Sequence, residues 1–119
     1  MDRKALARDY KNTARPMGVF RVLNRVNGKA FLGTARDLPG ILNSQRAQLR
    51  MGSHMNRDLQ RDWNEQGPGA FEFEVLDTLE PSVTPADDPR DGLRALEALW
   101  LDRLQPYGER GYHTSRDGR

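Results

Sequence analysis

The chain has 119 residues, a formal net charge of +2 and no cysteine. This length suits one domain, and the lack of cysteine excludes disulfide bonds and thiolate metal sites. No apolar run approaches the ~20 residues of a membrane-spanning helix. Residues 1–10 are too charged for a signal peptide, so we expect a cytoplasmic protein with no membrane partner.

The charge is unevenly distributed along the chain. Residues 14–62 contain nine arginines and lysines and three aspartates, whereas residues 63–106 contain three arginines and ten acidic residues. A basic segment is typical of proteins that contact phosphate groups. Two solvated faces that attract each other in the folded chain explain the asymmetry equally well, so charge alone does not choose between these interpretations.

The N-terminal segment, residues 1–15, is predicted to be a helical appendage. Leu6 and Tyr10 lie four positions apart among good helix formers, and Pro16 ends the pattern. Residues 16–113 form the predicted domain. Residues 114–119 are a charged tail that we expect to be disordered.

A β-hairpin is predicted at the start of the domain. Over residues 17–24 alternate side chains fall on two faces, with Val19 on one and Phe20 on the other. Asn27-Gly28 is a strong hairpin signal and predicts a type I′ turn. A second strand, residues 29–32, then ends at Gly33, where a neighbouring group can approach the backbone closely.

A first helix of the domain is predicted over residues 39–51, with Asp37 or Leu38 near its N-cap. Its inner face is expected to contain Ile41, Leu42, Gln45 and Leu49, which recur at helical spacing. Arg46 and Arg50 lie one turn apart on a more exposed strip. Gly52 after the helix favours a left-handed C-cap.

A second helix is predicted over residues 55–66, with Ser53 as its N-cap. Its apolar face is expected to contain Met55, Leu59 and Trp63. Residues 71–76 then alternate apolar and acidic side chains before becoming continuously apolar, which predicts a third strand that joins the hairpin. Residues 80–91 contain three prolines and a cluster of Asp, Ser and Thr, which predicts a surface loop.

The last helix, predicted over residues 91–104, has the clearest helical pattern. Its apolar face is expected to contain Leu93, Leu96, Leu99, Trp100 and Leu104. Glu97 falls at the edge of this face, where burying its carboxylate is costly unless a metal, an arginine or a hydrogen-bond donor satisfies it. A wet edge at which Glu97 reaches water is the alternative.

Two tripeptides give the chain a family resemblance. Gly18-Val19-Phe20 and Phe31-Leu32-Gly33 resemble the two motifs that name the GIY-YIG nuclease superfamily. The Asn-Gly turn, residues 62–65 and 71–74, Glu97 with Trp100, and the ending Gly111-Tyr112-His113 extend the resemblance over residues 17–113. The resemblance implies an α+β domain in which helices flank a small three-stranded antiparallel sheet, in agreement with the predicted elements.

The resemblance also implies a catalytic set that this chain has largely lost. In active members, two tyrosines lie near the attacking water, an arginine on the first helix stabilises the phosphate charge, and a glutamate holds one divalent metal. Phe20 and Phe31 stand at the tyrosine positions and Ile41 at the arginine position, so these groups cannot accept protons or donate hydrogen bonds. Glu97 matches the metal-binding glutamate, which implies Mg²⁺ or Mn²⁺ there.

The preferred hypothesis is therefore a catalytically inactive domain that binds nucleic acid, with DNA as the expected partner and a regulatory role in bacteria. The residues predicted to contact the nucleic acid are five arginines and one histidine: Arg36, Arg46, Arg50, His54, Arg57 and Arg61. Phosphate contacts of this kind give affinity without strong base readout.

Two other functions fit the same residues. A metal-dependent endonuclease or phosphodiesterase would use Glu97 with His54 or His113 and a water activated by the metal. A protein- or ligand-binding module would use an apolar pocket at the former active site, around Phe20, Phe31 and Ile41. An open cleft at these three residues would favour the module, and a filled core would not.

Overall fold

The computed structural model describes residues 16–80 and 88–114, which form three strands and three α-helices. These elements are β1 (Met17–Asn24), β2 (Ala30–Ala35), α1 (Leu38–Met51), α2 (Arg57–Gln66), β3 (Phe71–Leu79) and α3 (Pro89–Leu104). The predicted helical appendage, most of the predicted loop at 80–91 and nearly all of the predicted tail lie outside the described residues. No helix within the described ranges is long and apolar enough to cross a membrane.

The three strands form one antiparallel sheet in the order β2-β1-β3. The hairpin pairs Gly18 with Ala35 and Leu23 with Ala30. Along β3 the register shifts between Val19 and Phe20, as at a β-bulge. The predicted α+β class and the third strand that joins the hairpin are therefore confirmed.

Alternation along β1 divides the core into two layers. Phe20 and Val22 point to the face covered by α1 and α2, whose buried partners include Leu38, Leu49, Leu59 and Trp63. Val19 points to the opposite face, where α3 packs through residues that include Leu96, Trp100, Leu101 and Leu104. The helices thus lie on both sides of the sheet, as the alternating strand predicts.

The hairpin turn differs from the predicted type I′ geometry. Gly28 has φ of 80°, but Asn27 is not among the positive-φ residues, and a type I′ turn needs both. The connection spans residues 25–29 and is closed by the Gly28 N–H, which donates to the Asn24 carbonyl at 2.8 Å. The Asn24 side-chain oxygen accepts from the Val26 N–H, and this local bond stabilises the longer loop.

The first helix begins and ends as the sequence predicts. The Asp37 side chain caps α1 by accepting from the Gly40 N–H, and Gly52 ends it with φ of 74°. The predicted start of α2 at Met55, with Ser53 as cap, is wrong. Asn56 is the N-cap and its side chain accepts from the Leu59 N–H, so the helix begins two residues later. Met55 is 84% exposed and contributes nothing to the core.

The predicted apolar face of the last helix is wrong at one position. Leu99 is 47% exposed, whereas Leu101 packs against the core. The helix begins at Pro89, with Asp88 as its N-cap accepting from the Arg90 N–H. Leu93 is buried, so the first half of the predicted face is correct.

Candidate functional site

Phe20, at the position of the first tyrosine of the motif, is a core residue. It is 3% exposed, and its ring lies over Gly33, its partner across the hairpin. A Cβ atom added at Gly33 would lie 2.7 Å from two carbons of this ring. Gly33 therefore provides the space that the Phe20 ring fills, as the predicted close approach to its backbone requires.

Phe31 connects Phe20 with both histidines. Its ring centroid lies 6.3 Å from that of Phe20, 5.3 Å from that of His54 in an edge-on contact, and 5.1 Å from that of His113 in a stacked contact. Ile41 is partly buried against the same core cluster. The structure thus brings Phe20, Phe31 and Ile41 together, but Phe20 lies inside a packed core and not at an open cleft.

His54 is buried, and both of its ring nitrogens are engaged. Nδ1 accepts the Asn56 N–H at 3.0 Å, so Nε2 carries the proton and donates to Gln45 Oε1 at 2.5 Å. Burial lowers the pKa of the His54 imidazole, which favours its neutral form. This side chain has no free lone pair for a proton, and its burial keeps it from direct contact with a phosphate.

His113 is engaged in a similar way on the other side of Phe31. Its Nε2 accepts the Leu32 N–H at 2.8 Å, so the proton of the neutral ring is on Nδ1. Burial lowers the pKa of the His113 imidazole. Because the basic nitrogen of each histidine already accepts a backbone N–H, neither one can serve as a general base in this arrangement.

A buried polar network lies beside the same cluster, and sequence reasoning missed it. The Tyr112 hydroxyl donates to Asp62 Oδ2 at 2.7 Å and accepts from Asn24 Nδ2 at 3.0 Å. Burial raises the pKa of the Tyr112 hydroxyl well above its usual range. Asn27 also donates to Asp62, at 3.3 Å. The sequence signals were that Asp62 and Tyr112 both belong to the family resemblance and that Asp62 directly precedes a core tryptophan of α2.

Glu97 lies on the other side of the sheet. It is half-buried on α3, and burial raises the pKa of its carboxyl group. It lines a cavity of about 220 Å³ together with Thr34, Arg90, Leu93 and Arg94. Phe20 and Phe31 point to the α1–α2 face, so β2 separates them from this cavity.

The residues around Glu97 do not fit a metal ion held by the protein alone. Across the described ranges, no group of three or more His, Cys, Asp or Glu side chains is placed to bind a metal. Among the described residues, Glu97 is the one carboxylate that lines its cavity, and two guanidinium groups line the same space. A divalent cation there would be repelled by both arginines and would rely on a single protein ligand.

Among the predicted nucleic-acid contacts, two arginines are held in ion pairs. Arg36 Nη2 lies 3.1 Å from Asp88 Oδ1, and Arg61 Nη1 lies 3.4 Å from Asp58 Oδ1. The guanidinium of Arg46 stacks 4.5 Å from the ring centroid of Phe73. These side chains and the buried His54 occupy different environments and do not form one continuous exposed set.

Arg50 and Arg57 are the predicted contacts that remain most available. Both are exposed, and within residues 16–80 and 88–114 neither has an ion-pair or hydrogen-bond partner. Arg50 lies in the last turn of α1, and Arg57 lies in the first turn of α2. The helix α1 contains no acidic residue.

Comparison with protein-family models gives no match, and comparison with curated proteins gives none. Two solved structures are similar to this chain. One is the catalytic domain of the homing endonuclease I-TevI, with 25% identity, a TM-score of 0.66, and coverage of 83% of this chain and 98% of that one. The other is a glutamate-to-alanine mutant of the same domain, with 23% identity, a TM-score of 0.63, and coverage of 76% and 84%.

Proposed function

From the premise that this chain has the fold of the GIY-YIG nucleases, we propose that it is a nuclease-type domain that binds DNA and does not cut it by the tyrosine-dependent mechanism of active members. Binding occurs through phosphate contacts from arginines near the junction of α1 and α2. Binding without cleavage suits a regulatory role.

The observation that carries this proposal is the charge of α1. The helix has Arg46 and Arg50 one turn apart and no carboxylate, and neither guanidinium forms an ion pair with the described residues. Arg57 begins the next helix, and its guanidinium likewise forms no ion pair with the described residues. Unpaired arginines on the surface are the groups that neutralise phosphates, and they bind without reading bases.

The lack of proton-transfer groups supports the proposal that this domain does not cut DNA by the tyrosine-dependent mechanism. Phe20 and Phe31 have no hydroxyl, and His54 and His113 have no free lone pair. General-base assistance is worth about 10² to 10⁴ in rate. Replacement of the helix arginine by Ile41 removes a charge-stabilising donor, which costs about 3 to 4 kcal/mol in the barrier. Together these losses leave little catalysis by that route.

Metal-dependent hydrolysis at Glu97 is the second candidate function. It is favoured by one observation, a half-buried carboxyl group that lines a cavity. Cleavage of duplex DNA with Mg²⁺ or Mn²⁺ that is lost in Glu97→Ala would establish this function. We expect no cleavage in either protein. The apolar-pocket module is less well supported, because Phe20 is buried in the core.

Salt dependence of DNA binding tests the proposed function. Fluorescence anisotropy with a labelled duplex, between about 50 and 200 mM salt, should show an affinity that falls with salt by a slope of about −0.9 per phosphate contact. The double variant Arg50→Gln/Arg57→Gln should bind more weakly and reduce the magnitude of this slope by about two.

Arg103→Gln is the control, because it removes one guanidinium charge, half of that removed by the double variant, from a helix on the other side of the sheet. Arg103 stacks 4.9 Å from the ring centroid of Trp100, so thermal unfolding must show that the control is folded. Failure of the wild-type protein to bind duplex DNA at the lowest salt would refute the proposal. An equal loss of affinity in Arg103→Gln and in the double variant would refute the assignment to the α1–α2 junction.

A further inference from the structure

We propose that the cavity between β2 and α3, here called the α3 cavity, is a phosphate-binding subsite. Arg90 and Arg94 of α3 and Thr34 of β2 would contact one backbone phosphate of the nucleic acid, a role that rests on the function proposed above. The proposed phosphate contact lies on the opposite side of the sheet from Ile41. Ile41 stands at the position where the family resemblance implies an arginine.

The shape of the α3 cavity brings side chains from two elements to one space. Its lining consists of Thr34, Arg90, Leu93, Arg94 and Glu97, around a volume of about 220 Å³. Arg90 and Arg94 are four residues apart on α3 and therefore lie on one helix face. Thr34 faces them from the edge strand β2.

Asp88 positions the first arginine. Its Oδ2 atom accepts from Arg90 Nε at 2.7 Å and lies 2.6 Å from Nη2, while Asp88 also caps α3 and pairs with Arg36. A guanidinium has five N–H donors, so this contact fixes the plane of the group and leaves donors free for a second acceptor. Asp88 thus holds Arg90 in place without using all of its donors.

The second arginine is free. Within the described ranges Arg94 has no hydrogen-bond or ion-pair partner, and the Thr34 hydroxyl has none. Glu97 is three positions from Arg94 on the same helix, a spacing that allows an ion pair, yet the two are not paired. The α3 cavity therefore contains donors that still lack an acceptor.

The balance of charge favours an anion in the α3 cavity. Among the described residues, the lining has two guanidinium groups and one carboxyl group, and burial disfavours the ionised form of that carboxyl group, Glu97. Asp88 offsets part of this positive charge, but its carboxylate is shared between Arg90 and Arg36. Guanidinium groups match the oxygen geometry of phosphates and can bind them through paired N–H donors. Donors from the helix and from the strand would contact different oxygens of one tetrahedral group.

Titration with inorganic phosphate, and separately with a 5′-phosphorylated dinucleotide, tests the subsite. Both are run with a metal chelator and followed by amide chemical shifts. We expect shifts at Thr34 and in the first half of α3. Arg94→Gln should weaken binding by about tenfold or more, because it removes a charged hydrogen-bond donor. Arg103→Gln, which removes the same charge from the same helix outside the cavity, should bind as the wild type.

Glu97→Gln separates an anion site from a cation site. Replacing the carboxylate with an uncharged donor should tighten phosphate binding. Weaker phosphate binding in Glu97→Gln, together with a requirement for Mn²⁺, would overturn the subsite and favour a metal at Glu97. Unchanged phosphate binding in Arg94→Gln would also overturn it.

The duplex titration distinguishes failure of the subsite from failure of the proposed function. If DNA affinity depends on Arg50 and Arg57 but neither DNA nor phosphate binding responds to Arg94→Gln, the subsite is wrong and the proposed function stands. If phosphate binding depends on Arg94 but duplex DNA does not bind, the subsite holds only for free phosphates, and its assignment to nucleic acid is overturned.

Discussion

At the centre of the hairpin, the Phe20 ring fills the space that a side chain at position 33 would otherwise take. The absent side chain of Gly33 leaves room for the Phe20 ring, which is buried at the position where the family resemblance implies a tyrosine. A tyrosine at this position would need a partner for its hydroxyl or an exit to solvent. Position 20 therefore has an apolar side chain in an apolar environment.

We expect Gly33→Ala to destabilise the fold by about 1 to 3 kcal/mol, because the new methyl group would overlap the Phe20 ring. Gly69→Ala is the control, since no atom lies within 4 Å of the added Cβ, and it should change stability by no more than about 0.5 kcal/mol. Urea unfolding of both variants measures the difference. Equal costs at the two glycines would show that the contact with Phe20 is not the cause.

His54 and His113 should make stability depend on pH. Burial lowers the pKa of each imidazole below its ordinary value of 6.5, so the folded protein binds protons less readily than the unfolded chain does. The stabilisation is complete above about pH 6.5 and is lost as the pH falls through the lowered pKa values. The unfolding free energy should therefore decrease as the pH falls below about 6.5, by at most about 1.4 kcal/mol per pH unit for each histidine.

Urea unfolding across this pH range, with wild-type protein and the double variant His54→Gln/His113→Asn, measures the effect. The double variant is expected to be less stable at pH 7.5 but to lose less stability on acidification. If wild-type stability stays constant or rises as the pH falls from 6.5 to 5, the inferred neutral tautomers are wrong.

At the level of elements, the connection from α1 to α2 contains two candidate N-caps for α2, Ser53 and Asn56. Ser53 donates its backbone N–H to the Gln48 carbonyl and so closes the C-terminal end of α1. Asn56 caps α2, and its Nδ2 also donates to the Tyr112 carbonyl at 2.8 Å. The second contact comes from the far end of the chain and favours Asn56 as the start of the helix.

Asn56→Ala should therefore cost about 1 to 2 kcal/mol, because it removes the cap and the bond to Tyr112. Ser53→Ala should cost less than about 0.5 kcal/mol, since its hydroxyl makes one long, exposed contact of 3.4 Å. Thermal or urea unfolding of the two variants compares them directly. A larger cost at Ser53 would mean that α2 begins where the sequence predicts.

For the whole molecule, Tyr112 joins segments that are distant in the sequence. Its hydroxyl connects Asn24 at the end of β1 with Asp62 of α2, and its backbone N–H donates to the Ala30 carbonyl at 3.0 Å. The C-terminal segment is thereby fixed against the hairpin. The same segment places the His113 ring against Phe31.

Removing this hydroxyl tests how strongly it connects the segments. Tyr112→Phe should cost about 1 to 3 kcal/mol, because it leaves the buried Asn24 Nδ2 without its acceptor and removes the 2.7 Å hydrogen bond to Asp62. Tyr107→Phe removes the same atom from a half-buried tyrosine whose side chain has no hydrogen bond within the described residues, and it should be nearly neutral. Comparable losses of unfolding free energy in the two variants would contradict this role.

Local chemistry was sufficient for the parts of the fold that depend on neighbouring residues. The alternation along β1, the Asp37 cap and the left-handed Gly52 were readable from the sequence, because each depends on side chains within a few positions. The family resemblance added the order of elements, and the α+β sheet agrees with it.

The candidate sites depended on contacts between distant residues. Glu97 stood out in the sequence as an acid at an apolar edge, but only the packing of α3 against β2 put it beside Arg90, Arg94 and Thr34. Similarly, the sequence offered His54 or His113 as a companion of Glu97 in a metal-dependent site, but the fold stacks His113 on Phe31, away from the Glu97 cavity, and its Nε2 accepts the N–H of the distant Leu32. Sequence determines which groups are present, whereas the tertiary structure decides which of them still have a free donor or lone pair.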